Sequence, residues 1–170
     1  MLWEPVVDQG MLGLLRYRLR QMTFPFPYRN SAYFGLFDIC QIKPGKTIAI
    51  SGAGGAVGSL AGQIAKLTGL RVIGFAGSDE KCNQLVKEFG FDATINYKTA
   101  DIDQELATKV PEGIDFYFDN VGGIVSYHVW TRMNMNGRIA VCGAISAYNE
   151  DYNQMPRGDQ SPSGESFRVQ

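Results

Sequence analysis

The chain has 170 residues, of which 45% are hydrophobic and 19% are charged, and its formal net charge is −1. These values are typical of one ordinary globular domain, and they give no electrostatic reason to expect nucleic acid or a membrane as a partner. No apolar run approaches the ~18 residues that a membrane span needs. Three widely spaced cysteines (Cys40, Cys82 and Cys142) and one histidine (His128) favour a zinc-free chain in the reducing cytosol.

The composition of the chain changes near both ends. Residues 1–27 mix apolar residues with arginines and predict an irregular lead-in, whereas residues 149–170 are polar and have no apolar periodicity. A segment of the latter kind cannot bury enough surface to offset its ordering entropy. We therefore expect a flexible polar tail over residues 149–170 and one folded domain over residues 28–148.

Helices and strands alternate along the predicted domain. Asn30 or Ser31 is expected to cap a helix that runs through Cys40. The pattern then predicts, in chain order, strand 47–50, helix 56–68, strand 71–75, a helix capped by Ser78 and ending at 89, strand 93–97, helix 102–109, strand 114–118, helix 123–135 and strand 138–144. Such an alternation predicts an α/β fold with a doubly wound parallel sheet of the Rossmann type.

A glycine-rich corner joins the first predicted strand to the helix that follows it. The corner reads SGAGGAVG over residues 51–58, and the register that fits a dinucleotide fingerprint is Ala53-x-Gly55-x-x-Gly58. In this register Gly55 lets the backbone approach a pyrophosphate, and Gly58 lets the helix pack close to the strand. The helix N-terminus then offers N–H groups to the phosphates. A tight turn without a ligand is the alternative.

The end of the second predicted strand distinguishes NADP from NAD. An NAD site usually has an acidic residue about 20 residues beyond the glycines, which binds the ribose 2′-hydroxyl. Asp79 lies near that distance, but the helix dipole explains an acidic residue in a first turn. Gly77, Ser78 and Lys81 instead provide a small residue, a hydroxyl and a cation, which suit a 2′-phosphate. These residues favour NADP.

Several motifs in order resemble one known family. They run from residue 32 to residue 149 and read SAYFGLFDIC, KPGKT, GAGGAVGSLAGQIAKLTG, GSDEKC, FGFDATINYKT, YFDNVGG and GRIAVCGAISAYN. In this order they resemble the prostaglandin reductase branch of the medium-chain dehydrogenase/reductase superfamily. The resemblance implies NADPH as cofactor. It also implies reduction of the carbon–carbon double bond of α,β-unsaturated ketones and aldehydes, including 15-keto-prostaglandins.

The resemblance also assigns roles to particular residues. It places the pyrophosphate at Gly55, Ala56, Val57 and Gly58, and the 2′-phosphate at Lys81, with Tyr97 lining that side. It places Asn120 and the loop formed by Cys142, Gly143, Ala144, Ile145, Ser146 and Tyr148 at the nicotinamide half. Tyr148 is the candidate proton donor or oxyanion partner during hydride transfer. The predicted positions of Tyr97, Asn120 and the Cys142–Tyr148 loop agree with these roles. All of them lie at the carboxyl ends of predicted strands, where ligands bind in an open parallel sheet.

Each of these residues also has a plainer explanation. Tyr97 can cap a strand, Asn120 can make a turn, Cys142 can be a small buried residue, and His128 is better explained as a helix-face residue than as a catalyst.

The match is also incomplete, because family members carry a separate substrate domain and a further strand and helix. Two alternatives to an enone reductase therefore stay open. One is a non-catalytic NADPH-binding module that forms a homo-oligomer or pairs with a full-length subunit, and the other is a quinone oxidoreductase.

Overall fold

A parallel five-stranded sheet with helices on both faces forms the part of the chain that the structure, a computed structural model, describes. This part is residues 26–143, with side chains described from residue 30 onward. The strands are β1 (Thr47–Ile50), β2 (Arg71–Ala76), β3 (Ala93–Asn96), β4 (Ile114–Asp119) and β5 (Met133–Val141). The helices are α1 (Phe26–Tyr33), which continues as a π-helix (Phe34–Ile39), α2 (Ala56–Leu67), α3 (Asp79–Lys87), α4 (Ile102–Lys109) and α5 (Gly123–Trp130).

The strand order is β3-β2-β1-β4-β5, and every pairing is parallel. The chain winds outward from β1 through β2 to β3 and then returns to the other side of β1 with β4. The order therefore reverses between β1 and β4, where the loops beyond the strands separate and leave a crevice. The predicted doubly wound Rossmann-type sheet is confirmed.

Alternating side chains along the buried strands divide the core into two layers. Ile48, Ile50 and Phe118 point into the layer covered by the first three helices, together with Leu60 and Leu85. The opposite layer, covered by α4 and α5, contains Ala49, Ile73, Tyr117, Leu106 and Val129. This alternation explains why the strands read as nearly continuous apolar runs in the sequence, since both faces are buried.

Three predicted elements have wrong boundaries. The first helix is already formed at Phe26, so Asn30 and Ser31 lie inside it and do not cap it. The helix predicted over 123–135 ends at Trp130, and the fifth strand, which was predicted over 138–144, is Met133–Val141. Met133 pairs with Ile114, and the Asn134 amide donates to Asp115 Oδ1 at 3.1 Å. Residues 133–135 therefore belong to the strand that pairs with β4, although their apolar pattern also suits a helix.

The remaining predicted elements agree with the structure to within about two residues, a range over which helix ends commonly vary. Two of the predicted helix ends are marked by glycines with positive φ, Gly69 at +86° and Gly90 at +71°. The predicted lead-in (1–27) lies almost wholly, and the predicted tail (149–170) wholly, outside the described residues, so the domain boundaries stay a prediction. Within the described residues, no helix is long and apolar enough to cross a membrane.

Candidate functional site

The glycine corner lies between β1 and α2, at the carboxyl edge of the sheet where the strand order reverses. Gly52 adopts a φ of +58°, and Ala53 is buried with its N–H donating to the Phe75 carbonyl at 2.9 Å. A Cβ on Gly58 would lie 2.8 Å from Ala53 Cα, closer than real Cβ atoms approach another atom. The corner therefore needs glycine at Gly58 to keep α2 close to β1.

The N-terminus of α2 is open to an anion. Gly55 precedes the helix in an extended conformation, no side chain caps it, and the first turn contains no acidic residue. Gly55 and Ala56 are also exposed. The first-turn N–H groups have no partner within the helix, and together with the helix dipole they suit a phosphate.

Lys81 reaches from α3 to the glycine corner. A Cβ on Gly54 would lie 3.0 Å from Lys81 Cδ, so the lysine stem passes directly over that glycine. Ser78 caps α3, and its Oγ accepts from the Lys81 N–H at 3.4 Å. Lys81 makes no ion pair with any of residues 30–143. The structure thus brings together the predicted hydroxyl and cation beside the corner.

Tyr97 and Lys98 lie across Gly77. A Cβ on Gly77 would lie 2.9 Å from Tyr97 Oη and 3.2 Å from Lys98 Cε. Asp79 is engaged nearby, because its Oδ1 accepts from Asn96 Nδ2 at 2.7 Å. Lys98 was missed by the sequence reasoning, although it directly follows Tyr97 in the NYK motif. The site therefore holds a second exposed cation on the side where a 2′-phosphate was predicted.

Asn120 lies on the opposite side of the corner, directly after β4. Its Nδ2 donates to the Ser51 carbonyl at 2.7 Å, and its N–H donates to Ser51 Oγ at 2.8 Å. A Cβ on Gly143 would lie 2.9 Å from the Asn120 carbonyl oxygen. The ends of β1, β4 and β5 therefore meet at this asparagine.

Cys142 is exposed beside this junction, so the interpretation of Cys142 as a buried core residue is not supported. Its N–H donates to the Asp119 carbonyl at 2.7 Å. Although the residue as a whole is exposed, desolvation of its sulfur, followed by the nearby charge of Asp119, raises the pKa of the Cys142 thiol. The thiol is therefore neutral at physiological pH.

Four predicted site residues, Ala144, Ile145, Ser146 and Tyr148, lie outside the described residues. His128 lies away from the corner, on α5, where its Nδ1 is 2.8 Å from Asp103 Oδ1 on α4. It is a helix-face residue, as predicted. Among residues 26–143 no group of three or more His, Cys, Asp or Glu side chains could hold a metal ion.

The sheet order, the glycine corner and the polar loops on either side of it define a Rossmann-type domain. The family model described as zinc-binding dehydrogenase matches residues 56–163, which is more than half of the chain. The chain belongs to this family. The match continues past residue 148, into the segment predicted to be a polar tail.

Curated relatives place the chain in the branch that the sequence motifs indicated. The chain is 57% identical to prostaglandin reductase 1 of Bos taurus over 120 residues, 70% of this chain and 36% of that protein. It is 50% identical to (+)-pulegone reductase of Mentha piperita, also over 120 residues, 70% of this chain and 35% of that protein. It therefore spans little more than a third of the length of these relatives.

A solved structure agrees with the described fold. CurA of Vibrio vulnificus, in a crystal structure with NADPH, is 47% identical and superposes with a TM-score of 0.71. The superposition covers 78% of this chain and 39% of that one.

Proposed function

We propose that this chain is the NADPH-binding part of a reductase that acts on the carbon–carbon double bond of α,β-unsaturated ketones and aldehydes. The observation that carries the proposal is the open N-terminus of α2 with Lys81 lying over Gly54, in a chain 57% identical to a prostaglandin reductase. Positive charge and free N–H groups at one corner suit a ligand with several phosphates.

The described residues fit the cofactor on steric and chemical grounds. Glycines at the corner leave open the space that a Cβ would fill, so the backbone can approach a pyrophosphate. We assign the pyrophosphate to Gly55, Ala56, Val57 and Gly58, the 2′-phosphate side to Ser78, Lys81 and Tyr97, and the nicotinamide side to Asn120, Cys142, Gly143, Ala144, Ile145, Ser146 and Tyr148.

NADPH, when bound, supplies the hydride in this class of reaction. The chain's own contribution is to orient the cofactor and to handle the negative charge that develops on the substrate carbonyl oxygen. We assign the proton donor or oxyanion partner to Tyr148. A phenol with a pKa of ~10 needs help from its surroundings to act as an acid, so this assignment calls for a direct test by Tyr148→Phe.

The substrates that we propose are small enones of lipid origin, such as 15-keto-prostaglandins, and the compartment that we propose is the cytosol. We also propose that this chain works without zinc, because its one histidine is paired with Asp103 and its three cysteines are far apart in the sequence. These cysteines are free thiols within the described residues.

A second candidate function is a module that binds NADPH without turnover, alone or paired with a full-length subunit. One observation favours it: the groups that the structure brings together at the glycine corner, the open N-terminus of α2 and Lys81 over Gly54, are groups that bind phosphates and do not themselves react.

Oxidation of NADPH by the purified chain with 2-nonenal, 15-keto-prostaglandin and a quinone distinguishes these functions. Turnover of the enones above that of the quinone supports the reductase. Binding of NADPH without turnover supports the module, and preferred turnover of the quinone supports a quinone oxidoreductase. If the chain neither binds NADPH nor turns over any of the three substrates, both the reductase and the module are contradicted.

A further inference from the structure

A buried carboxylate, Asp119, ends β4 and is 2% exposed. Its Oδ1 accepts from Ser51 Oγ at 2.9 Å and from Tyr117 Oη at 3.0 Å, and its Oδ2 accepts from Ser126 Oγ at 2.6 Å. Burial, followed by the charge of Asp119, raises the pKa of Tyr117 well above its usual range, so this phenol is a neutral donor. Asp119 has no cationic partner among the described residues.

The same carboxylate holds the backbone of the loop that follows it. Oδ1 also accepts from the N–H groups of Val121 and Gly122, at 3.0 and 2.9 Å. These two donors point toward the carboxylate because the chain turns back over the end of β4. An oxygen that accepts is therefore required at the Oδ1 position. An asparagine could supply it only by placing its NH₂ at the Oδ2 position, where the Ser126 hydroxyl now donates.

Ser51 connects this loop to the glycine corner. Its hydroxyl proton is donated to Asp119, so Ser51 Oγ acts as an acceptor for the N–H groups of Asn120 and Val121, at 2.8 and 3.2 Å. Ser51 is fully buried. The charge on Asp119 thus sets the direction of the hydroxyl, and the hydroxyl in turn places Asn120.

The end of β5 is tied to the same residue through the backbone. The Asp119 carbonyl accepts from the N–H groups of Cys142 and Gly143 at 2.7 and 3.2 Å. Gly52, in the corner, lies against the other side of the loop, where a Cβ on it would be 3.2 Å from Val121 Cγ2. Three loops at the carboxyl edge of the sheet therefore meet at Asp119 and Ser51.

We propose that Asp119, acting through Ser51, is a positioning residue that holds Asn120 and Gly143 against the nicotinamide half of the cofactor. The proposal rests on the proposed function, because it needs a dinucleotide across the β1–β4 crevice. Burying a carboxylate without a cation is costly, and apolar side chains pack at least as well in such a position. Holding the polar loop after β4 in place would account for the burial of the Asp119 carboxylate.

The Lys81 side of the corner does not depend on this network. Ala53 is held by the Phe75 carbonyl on β2, and Lys81 comes from α3. A defect at Asp119 is therefore expected to act on the nicotinamide half of the ligand and to spare the adenosine half. Two ligands separate these halves: NADPH, and adenosine 2′,5′-bisphosphate, which lacks the nicotinamide nucleotide.

The test is titration of the full chain, wild type and Asp119→Asn, with NADPH by nicotinamide fluorescence and with adenosine 2′,5′-bisphosphate by calorimetry. The matched control is Asp115→Asn, which removes another carboxylate of β4 at the opposite end of the strand, where it accepts from the Thr47 N–H at 3.0 Å. We expect Asp119→Asn to weaken NADPH tenfold or more while the bisphosphate affinity is unchanged. We expect Asp115→Asn to change neither affinity.

Equal losses for both ligands, or no loss for NADPH, would overturn the proposal. If Asp119→Asn shows no cooperative thermal unfolding, the same titrations are made with Ser51→Ala, which keeps the carboxylate. A selective loss of NADPH affinity in Ser51→Ala supports the proposal. Failure of both variants to fold would overturn it, because the network would then serve folding alone. If the wild type binds neither ligand, the proposed function itself fails.

Discussion

Gly58→Ala places a methyl group where the first turn of α2 crosses the glycine corner. The new Cβ would lie 2.8 Å from Ala53 Cα and 2.9 Å from the Gly52 carbonyl carbon, whereas ordinary contact begins at 3.4 Å. Both neighbours are backbone atoms, so no side chain can rotate away. The N-terminus of α2 must therefore move away from the corner by about half an ångström or more.

That movement acts on the hydrogen bonds between first-turn N–H groups and a bound pyrophosphate. A hydrogen bond to a charged acceptor contributes ~1.5–3 kcal/mol, so the loss of one weakens NADPH binding roughly 10- to 150-fold. Overpacking also lowers the free energy of unfolding by ~1–3 kcal/mol, and alanine's better helix propensity recovers up to ~1 kcal/mol of that loss.

Gly62→Ala is the matched control, because Gly62 lies one turn further along the same helix. The three atoms nearest to a Cβ there all belong to the ring of Phe91, a side chain, and none belongs to the backbone of the corner. We expect this variant to lose stability without losing NADPH affinity. Nicotinamide fluorescence measures the affinity and circular dichroism follows thermal unfolding. Wild-type affinity in Gly58→Ala, or an equal loss of affinity in both variants, would refute the reasoning.

Two further predictions concern cofactor choice and pH. Gly77→Asp puts a carboxylate against Tyr97 Oη and beside the proposed 2′-phosphate, so fluorescence titration should show NADPH affinity falling tenfold or more and NADH affinity falling less; parallel losses would contradict the assignment of this side. Burial raises the pKa of Cys40 to about 12 from a usual value near 9. As the pH rises, the thiol therefore loses its proton in the unfolded chain before it does so in the folded chain. The stability that the neutral thiol contributes is complete below pH ~9 and is lost between pH ~9 and ~12. Chemical denaturation at several pH values should show this loss in the wild type and a smaller one in Cys40→Ala.

Local patterns were enough to predict most of the fold. Buried parallel strands read as short apolar runs, and glycines mark helix ends, so β1, α2, α4 and the doubly wound parallel sheet follow from the sequence. The end of α5 does not, because residues 131–135 have a pattern that suits a helix and only pairing with β4 makes Met133 part of a strand. Propensity is a weak guide where tertiary pairing decides.

The candidate site was predicted unevenly for a similar reason. The glycines and Lys81 belong to a compact motif, whereas Asp119 and Ser51 are 68 residues apart and meet only through the pairing of β4 with β1. An acidic residue at the end of an apolar strand, as in FYFDN, was the available signal. The five groups that donate hydrogen bonds to the Asp119 carboxylate, by contrast, come from three separate segments of the chain, and no spacing in the sequence reveals them.

Titration of the purified chain with NADPH and NADH, for wild type, Lys81→Ala and Lys87→Ala, tests the central claim most directly. Lys87 is on the last turn of the same helix α3 and controls for the loss of one positive charge. We predict that the wild type binds NADPH more tightly than NADH, that Lys81→Ala removes roughly tenfold or more of the NADPH affinity, and that Lys87→Ala changes neither. Equal binding of both nucleotides, or unchanged NADPH affinity in Lys81→Ala, would contradict the account.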